Sequence, residues 1–508
     1  MKINLNSRSS TTVIGLLIFL VPFFTYLSPV NLKQLSNSNI LEIFLSLILF
    51  LIIIFISSFS FEILIKRFFK KNIILFPLLC FAFYLNFLYK PVSDFLLEFL
   101  LPTFGLIGTP IFIFFELFCL AIIAFGVKFN AFSIRMILIF SILMLSNALI
   151  PLISYLAENI GKNSTISDEI KSMALAPGEA LKNRNVYYII VDEMLAIDPA
   201  EQVNIATKKE VLGNLENVGL KYIDKSFSSY SKTSLTLASI MLLDYPHKPS
   251  SPRFLDRSNF FPRMMYDIQS QKPLLDYLKK ANSSFYWSGS GWGVCIPSNE
   301  WSCINSPNKF FSNNLFNFFS TTPLSKSLQR YFSAFLNQDA IGHLLKYIDK
   351  NGLPKTPFFT FVHHDSPHGP HLVTSECEPT NYFTQDFKGY KASYHCVLKQ
   401  IQMFMEKINN IDPEAIVIIQ ADHGSRDLSL DLTLKEKYQL RGKIFNAIKA
   451  PEICFEKYGL PKTNVNTIRF ALNCAYGYKF PYKENIHYET YGEESPDFGT
   501  VVERKIYE

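Results

Sequence analysis

Three apolar segments end in residues able to bind a metal or move a proton. "NVYYIIV" (185–191) runs into Asp192-Glu193, and "AIVIIQA" (415–421) runs into Asp422-His423-Gly424. "TPFFTFV" (356–362) runs into His363-His364-Asp365 and then His368. The stretch "TFVHHDSPHGPH" (360–371) holds four of the nine histidines, all of which lie after residue 246. Carboxylates and imidazoles drawn from separate segments are hard and borderline ligands. Together they suit a divalent ion, Zn2+ in particular. A single carboxylate after a strand is ordinarily a cap or turn residue. Three such endings in one domain point to a shared site.

A hydroxyl candidate lies between the first two of these in chain order. "SYSKTSLTLASIML" (229–242) passes from a polar turn into an apolar helical stretch, which Ser231 or Thr233 could cap. A hydroxyl there also faces unpaired N–H groups and the positive end of the helix dipole, which favours an alkoxide and a bound phosphate. A nearby metal would supply the larger share of its activation.

The elements that must place these residues read as α/β. All three apolar runs are short and rich in β-branched and aromatic residues, as expected of buried strands. "YKASYHCVLKQIQMFMEKI" (390–408) has apolar residues at helical spacing between the last two. Strand–helix–strand order favours a mostly parallel sheet, whose ligands collect beyond the carboxyl ends of the strands.

The first third of the chain differs. A helix needs about 20 apolar residues to cross a bilayer, and candidate spans run roughly over 11–30, 39–62, 72–89, 107–127 and 134–155. The segment 94–106, broken by Pro102, is too short and reads as interfacial or re-entrant. Residues 1–160 carry ten Lys/Arg against six Asp/Glu, while the remainder carries 39 against 37. The positive excess therefore belongs mostly to the membrane part, and nothing supports nucleic-acid binding. Basic residues (Lys2, Arg8, Lys66, Arg67, Lys70, Lys71, Lys128, Arg135) mark the cytoplasmic side. Five spans then leave the C-terminal part outside, in the periplasm of a bacterium. The expected organisation is a transmembrane domain (1–156), a linker or interfacial helix (157–184) and an extracytoplasmic domain (185–508).

Cysteine usage agrees with an oxidising compartment. Cys295, Cys303, Cys377, Cys396, Cys454 and Cys474 form an even set of close sequence pairs, which suggests three disulfides. None has the C-x-x-C spacing of a zinc knuckle.

In order along the chain, Asp192, "SKTSLT" (231–236), His368-Gly369-Pro370 and Asp422-His423-Gly424 resemble the membrane-anchored phospho-group transferases of the alkaline phosphatase/sulfatase superfamily. Lipid A phosphoethanolamine transferases and lipoteichoic acid synthases belong there. The likeness covers roughly 185–480 and extends to the preceding set of five spans. The resemblance implies a helical transmembrane bundle joined to a sulfatase-like α/β domain. It makes Thr233 both nucleophile and metal ligand. Asp192, Asp422 and His423 become the other ligands of one Zn2+ or Mn2+, with His368 on the substrate side as a phosphate or proton-transfer group. Many family members have Glu at the first strand end; Asp192 and Glu193 are adjacent here, and Asp192 aligns with the strand end. A true sulfatase needs Cys or Ser in a C/S-x-P-x-R setting, and "SKTSL" lacks the Pro and Arg.

The implied reaction moves phosphoethanolamine, or a related phospho-alcohol such as phosphoglycerol, from a membrane phospholipid to an envelope glycan or glycolipid. Lipopolysaccharide core, capsule, O-antigen and periplasmic glucan all remain open as acceptors. The same residues serve a phosphodiesterase with water as acceptor. A non-catalytic membrane assembly factor predicts a broken ligand set, whereas every core position here is filled. Among other residues, His364, His371 and His395 are candidates for the substrate side. Strand alternation sends His363 away from His364, so His363 is expected to be structural. His395 has an alternative reading as a structural neighbour of Cys396. Arg426 could pair with a phosphate or form a surface ion pair. "YWSGSGWGVC" (286–295) offers Trp287 and Trp292 for stacking on a glycan, or for packing around a Cys295–Cys303 bridge.

Overall fold

A computed structural model describes isolated helical residues between Leu16 and Arg67, and then segments 183–251, 260–266, 270–289, 298–304, 339–353, 357–369, 371–384, 387–425, 433–490 and 500–505, together with Cys295. The chain divides into two units, one of residues 1–162 with 310–332 and the other of 163–309 with 333–508. Among the described residues no helix is long and apolar enough to cross a membrane. The expected spans otherwise lie outside the described residues, as do most of the linker 157–184, Trp292 and Arg426.

Among the described residues the second unit has eleven strands: β1 (Val186–Val191), β2 (Lys221–Tyr222), β3 (Ser284–Gly289), β4 (Ser302–Cys303), β5 (Phe358–His364), β6 (His371–Val373), β7 (Pro379–Thr384), β8 (Ile416–Gln420), β9 (Asn446–Lys449), β10 (His487–Thr490) and β11 (Val501–Arg504). Seven form one sheet in the order β2-β9-β8-β1-β5-β3-β4. β8, β1, β5, β3 and β4 are parallel, β9 pairs antiparallel with β8, and β2 pairs antiparallel with β9 at the edge. The expected mostly parallel sheet is therefore present. β1 lies at its centre, between β8 and β5.

Six helices matter for the site: α1 (Thr233–Leu242), α2 (Pro273–Lys280), α3 (Ala340–Asn351), α4 (Phe387–Ile411), α5 (Leu434–Gly442) and α6 (Asn464–Tyr476). The apolar runs are continuous because both faces of the sheet are covered. Val186, Tyr188, Ile190, Phe359, Phe361, Ile416 and Ile418 point to one face and pack with α1, α2 and α6. Tyr187, Ile189, Val191, Phe358, Val362, Val417 and Ile419 point to the other face and pack with α3 and α4. This parity decides which polar residues at the strand ends share a side.

Three disulfides join Cys295–Cys303, Cys377–Cys396 and Cys454–Cys474. Each links a close sequence pair, as expected. Trp287 is wholly buried and packs its ring 5.1 Å from Phe261 and 6.1 Å from Trp301. The described part of the Trp/Gly loop is thus core packing beside the Cys295–Cys303 bridge.

Candidate metal and phosphoryl-transfer site

Asp192, His363 and Asp422 continue the parity of the sheet face that carries α1. β1 pairs Ile190 with His363, and the Asp192 amide donates to the His364 carbonyl at 3.0 Å, which locks the two strand ends together. One ligand atom each from Asp192, Asp422 and His423 lies within 4.8 Å of the other two, and all three residues are buried. Thr233, the first residue of α1, brings Oγ1 to 3.0 Å from His423 Nε2. Four segments far apart in the chain therefore meet where the sheet's carboxyl edge faces a helix N-terminus.

Local structure explains why these side chains point inward. Lys232 occupies the cap position of α1 and makes no side-chain cap bond. Ser231 Oγ instead pairs with Thr490, accepting its amide N–H at 3.0 Å. Neither hydroxyl considered for the cap fills that role, and Thr233 is left facing the site. The Asp-His-Gly turn is equally constrained. The Gly424 amide donates to the Arg441 carbonyl at 2.7 Å, and a Cβ on Gly424 would lie 1.7 Å from the Leu440 carbonyl oxygen. Only glycine permits that approach to the end of α5. Glu193 sits at φ +62°, a backbone region uncommon for a residue with a side chain. Its amide donates to Asp422 Oδ1 at 3.1 Å and its carbonyl accepts from Tyr390 OH at 2.6 Å, which holds the turn in place.

The donor set fits a divalent cation. His423 Nδ1 lies 2.8 Å from the Gly424 carbonyl, which can only accept, so Nδ1 carries the proton. In the neutral ring Nε2 then presents its lone pair to Asp422 Oδ2 at 3.3 Å and Asp192 Oδ1 at 3.9 Å. Both of those oxygens are buried with no hydrogen-bond partner. Three acceptors facing one another repel unless a positive charge sits among them. The titration behaviour shows the same tension. Burial, then the charge of Asp192, pushes the Asp422 carboxyl up to about 8. Burial opposes ionisation of Asp192 too, but His368 and His363 outweigh it and hold that carboxyl below the usual range. A cation in the seat would keep both carboxylates ionised.

His368 stands beside this cluster. Its side chain is 44% exposed, and Nε2 lies 3.8 Å from Glu193 Oε1. Burial lowers its affinity for a proton, but Asp192, Glu193 and Asp365 prevail and push it up to about 9. Glu193 thus faces His368, while Asp192 joins Asp422 and His423.

The other candidates lie elsewhere. His364 is on the face covered by α3 and α4, next to Asp339, His343 and Gln400, and burial pushes it down to about 4. His371 packs against α4, with Nδ1 3.4 Å from Ser393 Oγ and its ring edge-on to Tyr390. His395, on α4, places Nε2 2.9 Å from the Ile205 carbonyl. His363 is the residue not anticipated for the site. It lies on the Asp192 side, with Nε2 3.6 Å from Asp192 Oδ2, which reverses the expected orientation of the His363-His364 pair. Alternation fixes that the two diverge. Only the pairing of β5 with β1 fixes which of them faces Asp192.

Residues 216–447 match the sulfatase family model, a span that includes Thr233, His368, Asp422 and His423 and begins after Asp192. No curated protein matches the chain. Similar solved structures include the C-terminal periplasmic domain of EptC from Escherichia coli, at 10% identity over 64% of this chain and 93% of that one, with a TM-score of 0.41. Another is the integral membrane lipooligosaccharide phosphoethanolamine transferase EptA from Neisseria meningitidis, at 17% identity over 89% of this chain and 90% of that one, TM-score 0.34. A third is the lipoteichoic acid synthase LtaP from Listeria monocytogenes, at 12% identity over 61% and 76%, TM-score 0.35. The chain carries a sulfatase-family domain over residues 216–447.

Proposed function

We propose that this chain is a metal-dependent transferase that moves phosphoethanolamine, or a related phospho-alcohol, from a membrane phospholipid to an envelope glycan or glycolipid. The observation that carries this reading is the Thr233 hydroxyl at a helix N-terminus, 3.0 Å from a histidine nitrogen that also faces two buried carboxylates. Asp192, Asp422, His423 and Thr233 would hold one Zn2+ or Mn2+. When bound, the ion supplies positive charge that polarises a phosphoryl oxygen and lowers the pKa of the Thr233 hydroxyl. The phosphoethanolamine specificity rests on the sequence resemblance of the motifs.

The residues of the chain then divide the work. Thr233 Oγ1, its proton first released to solvent, forms a bond to phosphorus, and the bond from phosphorus to the diacylglycerol oxygen breaks. The amide groups at the start of α1 face the phosphoryl oxygens. His368, half-exposed and facing Glu193, would give a proton to the departing diacylglycerol oxygen. In the second step neutral His368 takes a proton from the acceptor hydroxyl, whose oxygen displaces Thr233. Two half-reactions through one phospho-threonine predict ping-pong kinetics.

Two observations support an envelope location. The disulfides fit an oxidising compartment such as the periplasm. Leu45, Leu49, Ile52, Ile56, Phe59 and Ile63, on helical backbone at spacings of three and four, are each at least 48% exposed. An exposed apolar stripe of this kind suits lipid. The inner membrane of a bacterium, with the C-terminal part on the periplasmic side, satisfies both.

The test is product analysis with phosphatidylethanolamine labelled in its head group. Diacylglycerol release and head-group transfer to an acceptor, giving parallel double-reciprocal plots, is the expected result. Free phosphoethanolamine at the same rate with and without acceptor would replace the transferase by a hydrolase.

A further inference from the structure

The two oxygens of Asp192 have different neighbours. Oδ1 faces His423 Nε2 at 3.9 Å, inside the proposed metal seat. Oδ2 lies 3.6 Å from Nε2 of His363, a fully buried residue. The opposite nitrogen of that ring, Nδ1, lies 3.5 Å from Asp365 Oδ1. One rigid imidazole therefore spans two carboxylates, and both distances are those of ion pairs rather than hydrogen bonds. The Asp192 amide is fixed to the His364 carbonyl at 3.0 Å, so the backbone carrying all three side chains is a single joined strand end.

We infer that His363 and Asp365 are positioning residues that hold Asp192 with Oδ1 turned to the cation. The inference rests on the metal-dependent reading of the site. A free carboxylate can rotate and offer either oxygen to an ion or to a neighbour. The ring of His363 stands against Oδ2 and not against Oδ1. With Oδ2 turned to the ring, Oδ1 is the oxygen left to the seat. Asp365 holds the ring from behind, as carboxylates and carbonyls behind ligands hold metal sites elsewhere. Neither residue needs to touch the substrate.

The experiment is competition of full-length protein with a chromophoric chelator for Zn2+, giving affinity and stoichiometry directly. Wild type is expected to bind one Zn2+ per chain, and Asp422→Ala to lose it. Asp365→Ala should weaken Zn2+ binding roughly 10- to 100-fold at unchanged stoichiometry. Asp365→Asn, which keeps an acceptor oxygen against Nδ1, should fall between the two. In a His363→Gln background Asp365→Ala should add less than about twofold, because it acts through the ring. Melting of the chelated proteins checks folding, and Asp365→Asn carries the test if the alanine variant unfolds. Zn2+ affinity unchanged in Asp365→Ala, or fully additive effects with His363→Gln, would overturn the inference and leave the metal seat standing. Asp192, His363 and Asp365 also lie within 4.8 Å of one another. A drop from two ions to one in Asp365→Ala would make Asp365 a ligand and overturn the positioning role. A wild type that binds no Zn2+ would overturn the metal reading and this inference together.

Discussion

The Thr233 hydroxyl lies 3.0 Å from His423 Nε2, although 190 residues separate them in sequence. One residue begins a helix and the other follows a central strand. Their meeting depends on α1 packing across the sheet face that carries Tyr188, Ile190, Phe361 and Ile418. Thr233→Ala should leave the fold intact and reduce transfer at least about 10^3-fold. Thr233→Ser should retain measurable activity, since it keeps the oxygen. Equal loss in both variants, with normal melting curves, would argue against a nucleophilic hydroxyl.

Removing the metal should destabilise the domain. Asp192 Oδ1 and Asp422 Oδ2 are buried without hydrogen-bond partners, so the ion that joins them binds only the folded chain. At a thousandfold excess of ion over Kd the stabilisation is about 4 kcal/mol, so a chelator should lower Tm by roughly 10 °C. Asp192→Ala should abolish that difference. A Tm indifferent to chelator and to added Zn2+ would contradict the site.

Gly424→Ala tests the Asp-His-Gly turn. Its Cβ would fall 1.7 Å from the Leu440 carbonyl oxygen, which belongs to the backbone of α5 and cannot turn aside. Chemical denaturation should show a loss of at least roughly 2 kcal/mol, and the displaced His423 should lower Zn2+ affinity as well. A neutral substitution would mean that the turn is looser than described.

His364 should leave a mark on acid stability. Burial lowers its pKa in the folded state from 6.5 to about 4, so the folded protein holds it neutral where the unfolded chain would take up a proton. Its stabilising contribution is complete above the unfolded value of 6.5 and is lost as pH falls through about 4. The expected size is about 3 kcal/mol. His364→Gln should flatten the stability–pH curve within this window, as measured by urea denaturation at several pH values. An unchanged slope would show that His364 charges freely in the folded state.

Much of this arrangement was legible in the sequence, for identifiable reasons. β1, β5 and β8 were visible because strands covered on both faces are continuous apolar runs that end abruptly in polar residues. Asp192, Thr233, Asp422 and His423 each sit at an element terminus, where composition changes. The side of the sheet taken by His363 was not legible. Phe361 and Val362 are both apolar, so neither face of β5 announces itself, and only pairing with β1 sets the choice. Asp365 and Glu193 stood at the same strand ends as the candidate ligands, but their contacts with His363 and His368 depend on the fold. Ser231 looked like a helix cap because the pairing of its hydroxyl with Thr490 spans 259 residues.

The most direct test is peptide mass spectrometry of full-length protein quenched during turnover of phosphatidylethanolamine without acceptor. A phosphoethanolamine adduct on the peptide containing Thr233, absent in Thr233→Ala and discharged when acceptor is added, is the predicted result. Diacylglycerol release with Thr233 unmodified throughout, or an adduct on another residue, would contradict it.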